Sequence, residues 1–563
     1  MSYYYYYYYY AFFETSKEEQ QTWINQVFDY RLANKALLFQ SVKNLKEAIY
    51  ELNDPALMEA YLLWIKTKEN LSKLNKVDHQ TLAKSGLDKD SLLELSNELE
   101  KKISLKVAVS KNNKRDMDLL NWQSVANSLS EDEMAIEIIR LRDFDVNTGQ
   151  FTDSIRYACL ALNKRMNNGP KLVMLENGNQ MEVKQLKTYR NLVKFKMADE
   201  VSYDVFVNPL IEGFNRDMRK NIYMSPDGVY NQINLNTLLN TETNEYFINE
   251  YNLLLLSSLR DLIEEDKPNY QSNTSSAEFY FFGYPNYQYN PLKGETEGSQ
   301  PASTDDGGER SIHFQMKNMI SRGAEITLLP GTLEEVEAAS AIVSDHVEEE
   351  VITGNEATEE RVKALESPGL LHIATHGFFL NEDPPKTEPF ISDDLTTIQL
   401  SNPFINPLFN SGLMLTGAAH AYDSLVLLKE LVAIQSGGIA EDGIMTSYEV
   451  MNISLRDTKL VILSACETGL GKVKSGEGVY GLQRAFQTAG ADAVVISLWK
   501  VSDAATKDLM ILFYKNYVEG KAPRDAFVAA QQELKTKYES PYYWGAFIFV
   551  GGSTSEGMIK QPL

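Results

Sequence analysis

The sequence has only two cysteines, Cys159 and Cys466, and they lie far apart in the chain. Two such cysteines cannot build a disulfide framework, and their scarcity is typical of proteins in the reducing cytoplasm. Long apolar runs are missing as well, since none approaches the roughly 18 residues of a membrane span, and no signal peptide is recognisable. We therefore expect a cytoplasmic protein with no membrane partner.

Positive charge is also scarce. The sequence has 54 Lys and Arg against 78 Asp and Glu, a formal net charge of -24. Direct nucleic-acid binding needs a basic stripe to neutralise phosphates, and the sequence contains none. It has neither a CxxC nor an HExxH motif, so no metal site is indicated. We expect no direct nucleic-acid partner, no metal and no other cofactor.

The 563 residues are too many for a single hydrophobic core, and 43% hydrophobic residues support a folded chain of several domains. Residues 1–13 form a tag-like or low-complexity start. Residues 14–128 are predicted to be α-helical, with Leu-rich helices at residues 33–51, 56–76 and 90–105. This region is either a plain bundle or the end of a tetratricopeptide-like array that docks an activating protein partner.

Short apolar and alternating runs predict an α/β lobe over residues 129–285. Cys159 falls inside one of its strands and is interpreted as a small buried hydrophobic residue. The turn signature Ser225–Gly228 predicts a hairpin between residues 221–224 and 229–233. Residues 286–310, rich in Gly, Pro, Ser and acidic residues, are predicted to be a flexible linker.

Strands and helices alternate over residues 311–555, which predicts a parallel sheet covered by helices on both faces. The first of these strands is expected at residues 325–329. Two apolar runs end at reactive side chains, one just before His376 and the other just before Cys466. Open α/β sheets place reactive groups at the carboxyl ends of their strands, so the two side chains are expected at one sheet edge.

Cys466 and His376 have the chemistry of a nucleophile and its base. Gly377 lacks a Cβ, so its N–H can approach an oxyanion closely, and the N–H of Cys466 is a natural second donor. Spacing alone leaves an alternative open, in which His376 is a structural histidine and Cys466 a packed thiol. His372, inside the strand, is interpreted as structural.

An ordered set of motifs resembles the CHAT-domain proteins, which are caspase-like cysteine peptidases usually attached to tetratricopeptide repeats and related to separase. The matching segments are Leu329–Val336, His372–Phe379, Ser411–Ala418, Glu441–Thr446, Leu463–Gly471, Gly476–Phe486, Ser497–Asp503 and Pro541–Phe547.

The resemblance implies a caspase-like catalytic domain over residues 311–555, preceded by a catalytically silent caspase-like lobe at 129–285. The catalytic pair of the family falls on His376 and Cys466. An acidic residue that in separase-like relatives faces the residue before the scissile bond falls on Asp503, which implies cleavage after Arg or Lys. Asp503 could equally be a helix N-cap, and Glu467 is a second acidic candidate for substrate binding with the same ambiguity.

The function predicted from these observations is a cysteine endopeptidase that cleaves a protein substrate after a signal reaches its helical N-terminal region. Bacterial relatives in the family include peptidases linked to immune signalling. The alternative is a scaffold protein that keeps the caspase-like fold without catalysis.

Overall fold

The computed structural model describes part of the chain in detail. The described residues are 12, 16–35, 37–74, 82, 85–110, 120–145, 147–263, 278–290, 295–296, 326–379, 407–409, 411–421, 424–438, 441–465, 472–474, 478–500 and 502–552. Cys466, Glu467 and most of the predicted linker lie outside this set. Within it, no helix is both long and apolar enough to cross a bilayer.

The N-terminal region is helical, as predicted. Its helices are α1 (Lys17–Asn34), α2 (Leu37–Leu52), α3 (Pro55–Leu74), α4 (Lys89–Ser110) and α5 (Trp122–Ser128). The helix predicted at residues 33–51 is interrupted, because Lys35 has an extended backbone with φ -64° and ψ 133°. Its buried ammonium group lies 2.7 Å from the Glu137 carboxylate, so this break attaches the helical region to the sheet.

A large mixed sheet of eleven described strands forms the centre of the molecule. Three smaller described strands pair in a separate sheet beside it, in the order β9-β10-β11. The strands are β1 (Glu133–Asp145), β2 (Gln150–Asn163), β3 (Lys171–Leu175), β4 (Asn221–Ser225), β5 (Asn252–Leu255), β6 (Phe279–Pro285), β7 (Glu349–Gly354), β8 (Leu370–Ala374), β9 (Gly377–Phe379), β10 (Ser411–Met414), β11 (Ile444–Thr446), β12 (Leu460–Ser464), β13 (Ala493–Ser497) and β14 (Phe547–Gly551).

The order in the large sheet is β7-β6-β8-β12-β13-β14-β5-β4-β1-β2-β3, and most neighbours are parallel. Strand β14 runs antiparallel to β13, and β5 runs parallel to β14. The second half of the sheet has the parallel strands β7, β6, β8, β12 and β13, and the first half has β5, β4 and β1. These two groups therefore run in opposite directions, and their carboxyl ends lie at opposite edges of the sheet. Strand β6 precedes the predicted linker in the chain but pairs with β7 and β8 in the second half.

Helices cover both faces of the second half of the sheet. Alternate residues of β8 and β12 contribute to two separate apolar cores, as expected for strands buried on both sides. The helices after α5 are α6 (Leu186–Lys194), α7 (Ser202–Phe206), α8 (Asn208–Phe214), α9 (Phe247–Glu250), α10 (Pro330–Val343), α11 (Glu359–Lys363), α12 (Ser424–Gln435), α13 (Ser447–Val450), α14 (Leu482–Ala489), α15 (Asp503–Val518), α16 (Pro523–Lys537) and α17 (Pro541–Trp544). Helices α10, α15 and α16 pack on one face, and α11, α13 and α14 on the other.

The hairpin predicted around Ser225–Gly228 is wrong. Strand β4 pairs in parallel with β1 and β5, and the chain after it forms a 3-10 turn, Gly228–Asn231. The Asp227 carboxylate accepts the Gly228 N–H at 2.8 Å and is buried against Arg31 at 2.8 Å. This salt bridge to α1 directs the chain away from a return strand.

The strand predicted at residues 325–329 is also wrong for the described residues 326–329, which belong to no strand. Leu329 is the N-cap of α10, and Pro330 is its first residue. Proline is favoured at the first helical position because it has no N–H to leave unpaired there. The preceding residues 326–328 belong to no helix or strand, and one of their carbonyl groups binds a side chain of the site described next.

Candidate active site

The register of β8 and β12 aligns the two strand ends that precede the predicted catalytic positions. The strands are parallel, and their last paired residues are Ala374 and Ser464. His376 and Cys466 each follow two residues later. Neighbouring strands lie about 4.8 Å apart, so the described ends of these two strands, Ala374 and Ser464, lie side by side. Cys466 itself lies outside the described residues, whereas the residues before it are described.

Hydrogen bonds hold the two strand ends in this register. The Thr375 N–H donates to the Ser464 carbonyl at 3.3 Å, which extends the pairing one step beyond the last strand residues. On the other side, the Ser497 hydroxyl at the end of β13 donates to the Ala465 carbonyl at 2.6 Å. Both segments are buried. The chain entering Cys466 is therefore held from both neighbouring strands.

The imidazole of His376 is buried, with 2% of its surface exposed, and has a defined orientation. Its Nε2 lies 2.8 Å from the carbonyl oxygen of Thr327, in the segment that leads into α10. Because a carbonyl can only accept, Nε2 carries the proton in this hydrogen bond. In the neutral ring Nδ1 is then the basic nitrogen, so a proton from a thiol would have to be accepted at Nδ1.

The backbone N–H of Gly377, the predicted oxyanion donor, is not used in strand pairing. Gly377 pairs with Leu413 in the antiparallel pair β9 and β10, and Met414 N donates to the His376 carbonyl at 2.9 Å. That bond flanks a non-hydrogen-bonded pair, so the N–H of Gly377 points away from β10. The imidazole of His376 and the N–H of Gly377 therefore belong to consecutive residues.

Asp503 is the first residue of α15 and is half-buried. The N-cap is Ser502, whose hydroxyl accepts the Ala505 N–H at 3.3 Å, so Asp503 does not have the capping role. Its side chain lies against the start of α10, since a Cβ added to Gly331 would be 2.6 Å from the Asp503 Cβ. Gly331 follows Thr327 by four residues, so one short segment contacts both Asp503 and His376. Glu467, the other predicted acid, lies outside the described residues.

The structural assignments of His372 and Cys159 agree with the predictions. His372 is fully buried, with Nδ1 3.0 Å from the Tyr514 hydroxyl and Nε2 3.1 Å from Glu335. Cys159 is also fully buried, and burial raises the pKa of its thiol. A thiol of this kind stays protonated and inert near neutral pH.

The sequence analysis missed two groups beside His376, the Thr327 carbonyl and the Tyr287 side chain. Every residue has a carbonyl group, so no sequence pattern could distinguish the one at Thr327. Tyr287 lies two residues past β6, at a strand end that carries neither sulfur nor imidazole to mark it in the sequence.

A buried cluster of opposite charges joins α3 to the second half of the sheet. Lys73 Nζ lies 3.2 Å from Asp442, 3.1 Å from Glu449 and 3.4 Å from Glu359. Its side chain is 3% exposed. Lys363 adds a second ammonium group, 3.2 Å from Glu449 and 3.3 Å from Glu359. The cluster is therefore stabilised by one lysine from each region of the chain.

The pKa values of two carboxyl groups in this cluster, Glu359 and Glu441, are shifted in opposite directions. Burial alone would raise the pKa of Glu359, but the two lysines lower it to about 2. Burial and the adjacent Glu359 raise the pKa of Glu441 to about 10, so Glu441 keeps a proton at neutral pH. Carboxylate oxygens of Glu359, Glu441 and Glu449 lie within 4.8 Å of one another, as metal ligands do. Here the ammonium group of Lys73 already lies within 3.9 Å of all three carboxyl groups.

Comparison with known proteins identifies the family of this chain. The family described as CHAT domain matches residues 200–552, more than half of the chain. The chain belongs to the CHAT domain family. The match spans both halves of the large sheet, including β4 and β5, which precede the predicted linker.

Individual proteins also resemble the chain, one group by sequence and the other by structure. Tetratricopeptide repeat protein 28 of Homo sapiens is 24% identical over 392 residues, covering 64% of this chain and 13% of its own length. The chain thus spans about an eighth of that relative. Among solved structures, separase of Saccharomyces cerevisiae, in complex with securin, is 9% identical with a TM-score of 0.35, covering 82% of this chain and 34% of its own. Gingipain R of Porphyromonas gingivalis is 9% identical with a TM-score of 0.34, covering 66% and 76%.

Replacing Lys73 tests whether the charge cluster anchors the helical region to the CHAT domain. Lys73→Met should lower the free energy of unfolding by about 3–5 kcal/mol, because it removes one of the two ammonium groups that stabilise the buried carboxylates. Urea denaturation followed by circular dichroism measures the loss. Lys106→Met is the control, since Lys106 pairs with Asp54 at an exposed site and should matter little. Equal losses for the two variants would contradict the anchoring role.

Glu441 predicts a pH dependence of stability. The folded chain keeps its proton up to about pH 10, whereas an unfolded glutamate loses it near its ordinary pKa of about 4.3. Between these values the folded state binds more protons, so stability falls as pH rises, by at most about 1.4 kcal/mol per unit. Thermal unfolding between pH 6 and 9 measures the slope, which Glu441→Gln should make shallower. Identical slopes would contradict the assigned pKa.

Proposed function

We propose that the chain is a cysteine endopeptidase in which His376 activates Cys466. One observation carries the proposal: in the register of β8 and β12, both residues stand at matching positions two residues past buried parallel strands. The hydrogen bond from Nε2 to Thr327 supports it further, because it leaves Nδ1 as the basic nitrogen. Membership of the CHAT domain family supports Cys466 as the reactive thiol. The burial of Cys159 supports it too, because a buried thiol of this kind is unreactive.

The proposed reaction has two stages. His376 Nδ1 takes the thiol proton, and the Cys466 thiolate attacks the carbonyl carbon of the scissile peptide. The N–H groups of Gly377 and Cys466 stabilise the resulting oxyanion. When it collapses, the C–N bond breaks and His376 gives its proton to the leaving amine. A water molecule, deprotonated by His376, then hydrolyses the thioester and restores the thiol.

We propose further that Asp503 favours Arg or Lys before the scissile bond. The support is its half-buried carboxyl group beside Gly331, on the same segment whose Thr327 carbonyl orients His376. A carboxylate in that environment would bind a guanidinium or ammonium group by a charge-assisted hydrogen bond. Glu467 is a second candidate for the same role.

The helical N-terminal region is proposed to receive the activating protein partner. Its support is the Lys73 cluster, which reaches Glu449 in the capping box of α13. Helix α13 directly follows β11, and β11 pairs through β10 with β9, whose first residue is Gly377. A shift of α3 therefore has a packed route to the oxyanion donor. A cytoplasmic location and a role in bacterial immune signalling belong to the same proposal and rest on the sequence.

The Cys466→Ala variant tests the proposed chemistry. It should abolish cleavage of a peptide library, because alanine has no nucleophile, while circular dichroism remains unchanged. Cys159→Ala is the matched control and should cleave normally. If cleavage survives in Cys466→Ala, the assignment is wrong. If the unaltered chain, with and without candidate partners, cleaves nothing and its Cys466 reacts with iodoacetamide no faster than glutathione does, a non-catalytic scaffold is favoured.

The Asp503→Asn variant tests the proposed specificity. Loss of the charge should lower kcat/KM for peptides with Arg before the scissile bond by about 10- to 100-fold, the equivalent of a charged hydrogen bond. Matched peptides with Leu at that position should be cleaved at an unchanged rate. Asp508→Asn, on the same helix and paired with Lys537 at the surface, is the control. A parallel fall for Arg and Leu peptides would contradict a role in specificity.

A further inference from the structure

Tyr287 is a fully buried tyrosine that contacts His376 in two ways. It lies two residues after the end of β6, and β6 is a neighbour of β8 in the sheet. Its hydroxyl is 2.8 Å from the Thr375 hydroxyl and accepts the backbone N–H of His376 at 3.4 Å. Its ring centre is 5.3 Å from the imidazole centre, with the two planes tilted by 41°.

The direction of each proton in this network is fixed. The Thr375 hydroxyl donates to the Met414 carbonyl, which can only accept. Thr375 has no second proton, so the Tyr287 hydroxyl donates to Thr375. The oxygen of Tyr287 is then an acceptor toward the His376 N–H. Such a chain is cooperative, because each donor is polarised by the next.

The backbone of Tyr287 is held as firmly as its side chain. Its N–H donates to the Pro285 carbonyl at 3.1 Å, and its own carbonyl accepts the Ala419 N–H at 3.0 Å. The phenol therefore presents a fixed surface to His376. Together with the Thr327 carbonyl, it restrains the backbone, one ring face and the Nε2 edge of the histidine.

We infer that Tyr287 is a positioning residue for the catalytic histidine, and this inference rests on the proposed function. It does not touch the substrate but sets the direction of His376 Nδ1 toward the thiol. A misplacement of a catalytic group by about 1 Å costs up to about 100-fold in rate, so a hydroxyl that fixes the histidine backbone affects catalysis strongly.

Tyr287→Phe is the decisive variant, because it removes the hydroxyl and keeps the ring. We expect kcat to fall by about 10- to 100-fold with KM little changed. The pH profile of Cys466 alkylation by iodoacetamide, read by peptide mass spectrometry, should move toward the ordinary thiol value of about 8.5. This second readout needs no substrate and follows only the activation of the thiol.

Tyr189→Phe is the matched control. Tyr189 is buried, its hydroxyl lies 3.0 Å from the Thr237 hydroxyl, and it accepts the Asn234 N–H at 3.2 Å, the same pattern in the first half of the sheet. Tyr189→Phe should lower stability to a similar degree and leave the alkylation profile unchanged. Thr375→Val should act like Tyr287→Phe, and Thr375→Ser should restore the normal profile.

The outcomes separate the two proposals. If Cys466 of the unaltered chain is activated and Tyr287→Phe leaves its profile and kcat unchanged, the positioning role is refuted while the peptidase proposal stands. Equal effects of Tyr287→Phe and Tyr189→Phe on the alkylation profile of Cys466 would also refute it. If Cys466 of the unaltered chain reacts like an ordinary thiol, both proposals fail.

Discussion

The parallel pairing of β8 with β12 is the constraint on which the site depends. Side chains alternate between faces along a strand, so a register shift of one residue would move each matching position to the other face. Both strands are buried on both faces, with their alternate residues in two apolar cores, and such burial specifies register strongly. The packing of the core therefore fixes the register in which the two strands end.

The first half of the sheet shows the same arrangement with different chemistry. Asp227 and Gly228 stand two and three residues past β4, as His376 and Gly377 stand past β8. Asp227 is neutralised by Arg31 of α1, so this position docks a helix and has no base to offer. Because the two halves run in opposite directions, the two positions lie at opposite edges of the sheet.

Sequence reasoning predicted the strands well where burial and periodicity coincide. The runs before His376 and Cys466 are apolar, lie between β-α alternations and end at small residues, so their place in a parallel sheet was predictable. The hairpin after β4 failed because turn residues report local preference, whereas a buried salt bridge from Arg31, distant in sequence, decides the path.

The contacts that orient the site were beyond sequence reasoning for a different reason. The Thr327 carbonyl acts through a backbone atom that every residue has, and the Tyr287 hydroxyl acts through a chain of hydrogen bonds that only the folded chain assembles. The Lys73 cluster draws together α3, α11 and the segment around Glu449, which no periodicity links. Such long-range polar contacts depend on tertiary packing, and they connect the helical region to the site.

The most direct test of the account is the distance between Cys466 Sγ and His376 Nδ1 in a crystal structure of the whole chain. The account predicts about 3–4 Å, with Nε2 still bound to the Thr327 carbonyl, as expected of a nucleophile and its base. A separation beyond about 10 Å, far outside hydrogen-bond reach, in a chain whose β8 and β12 keep their register would contradict it.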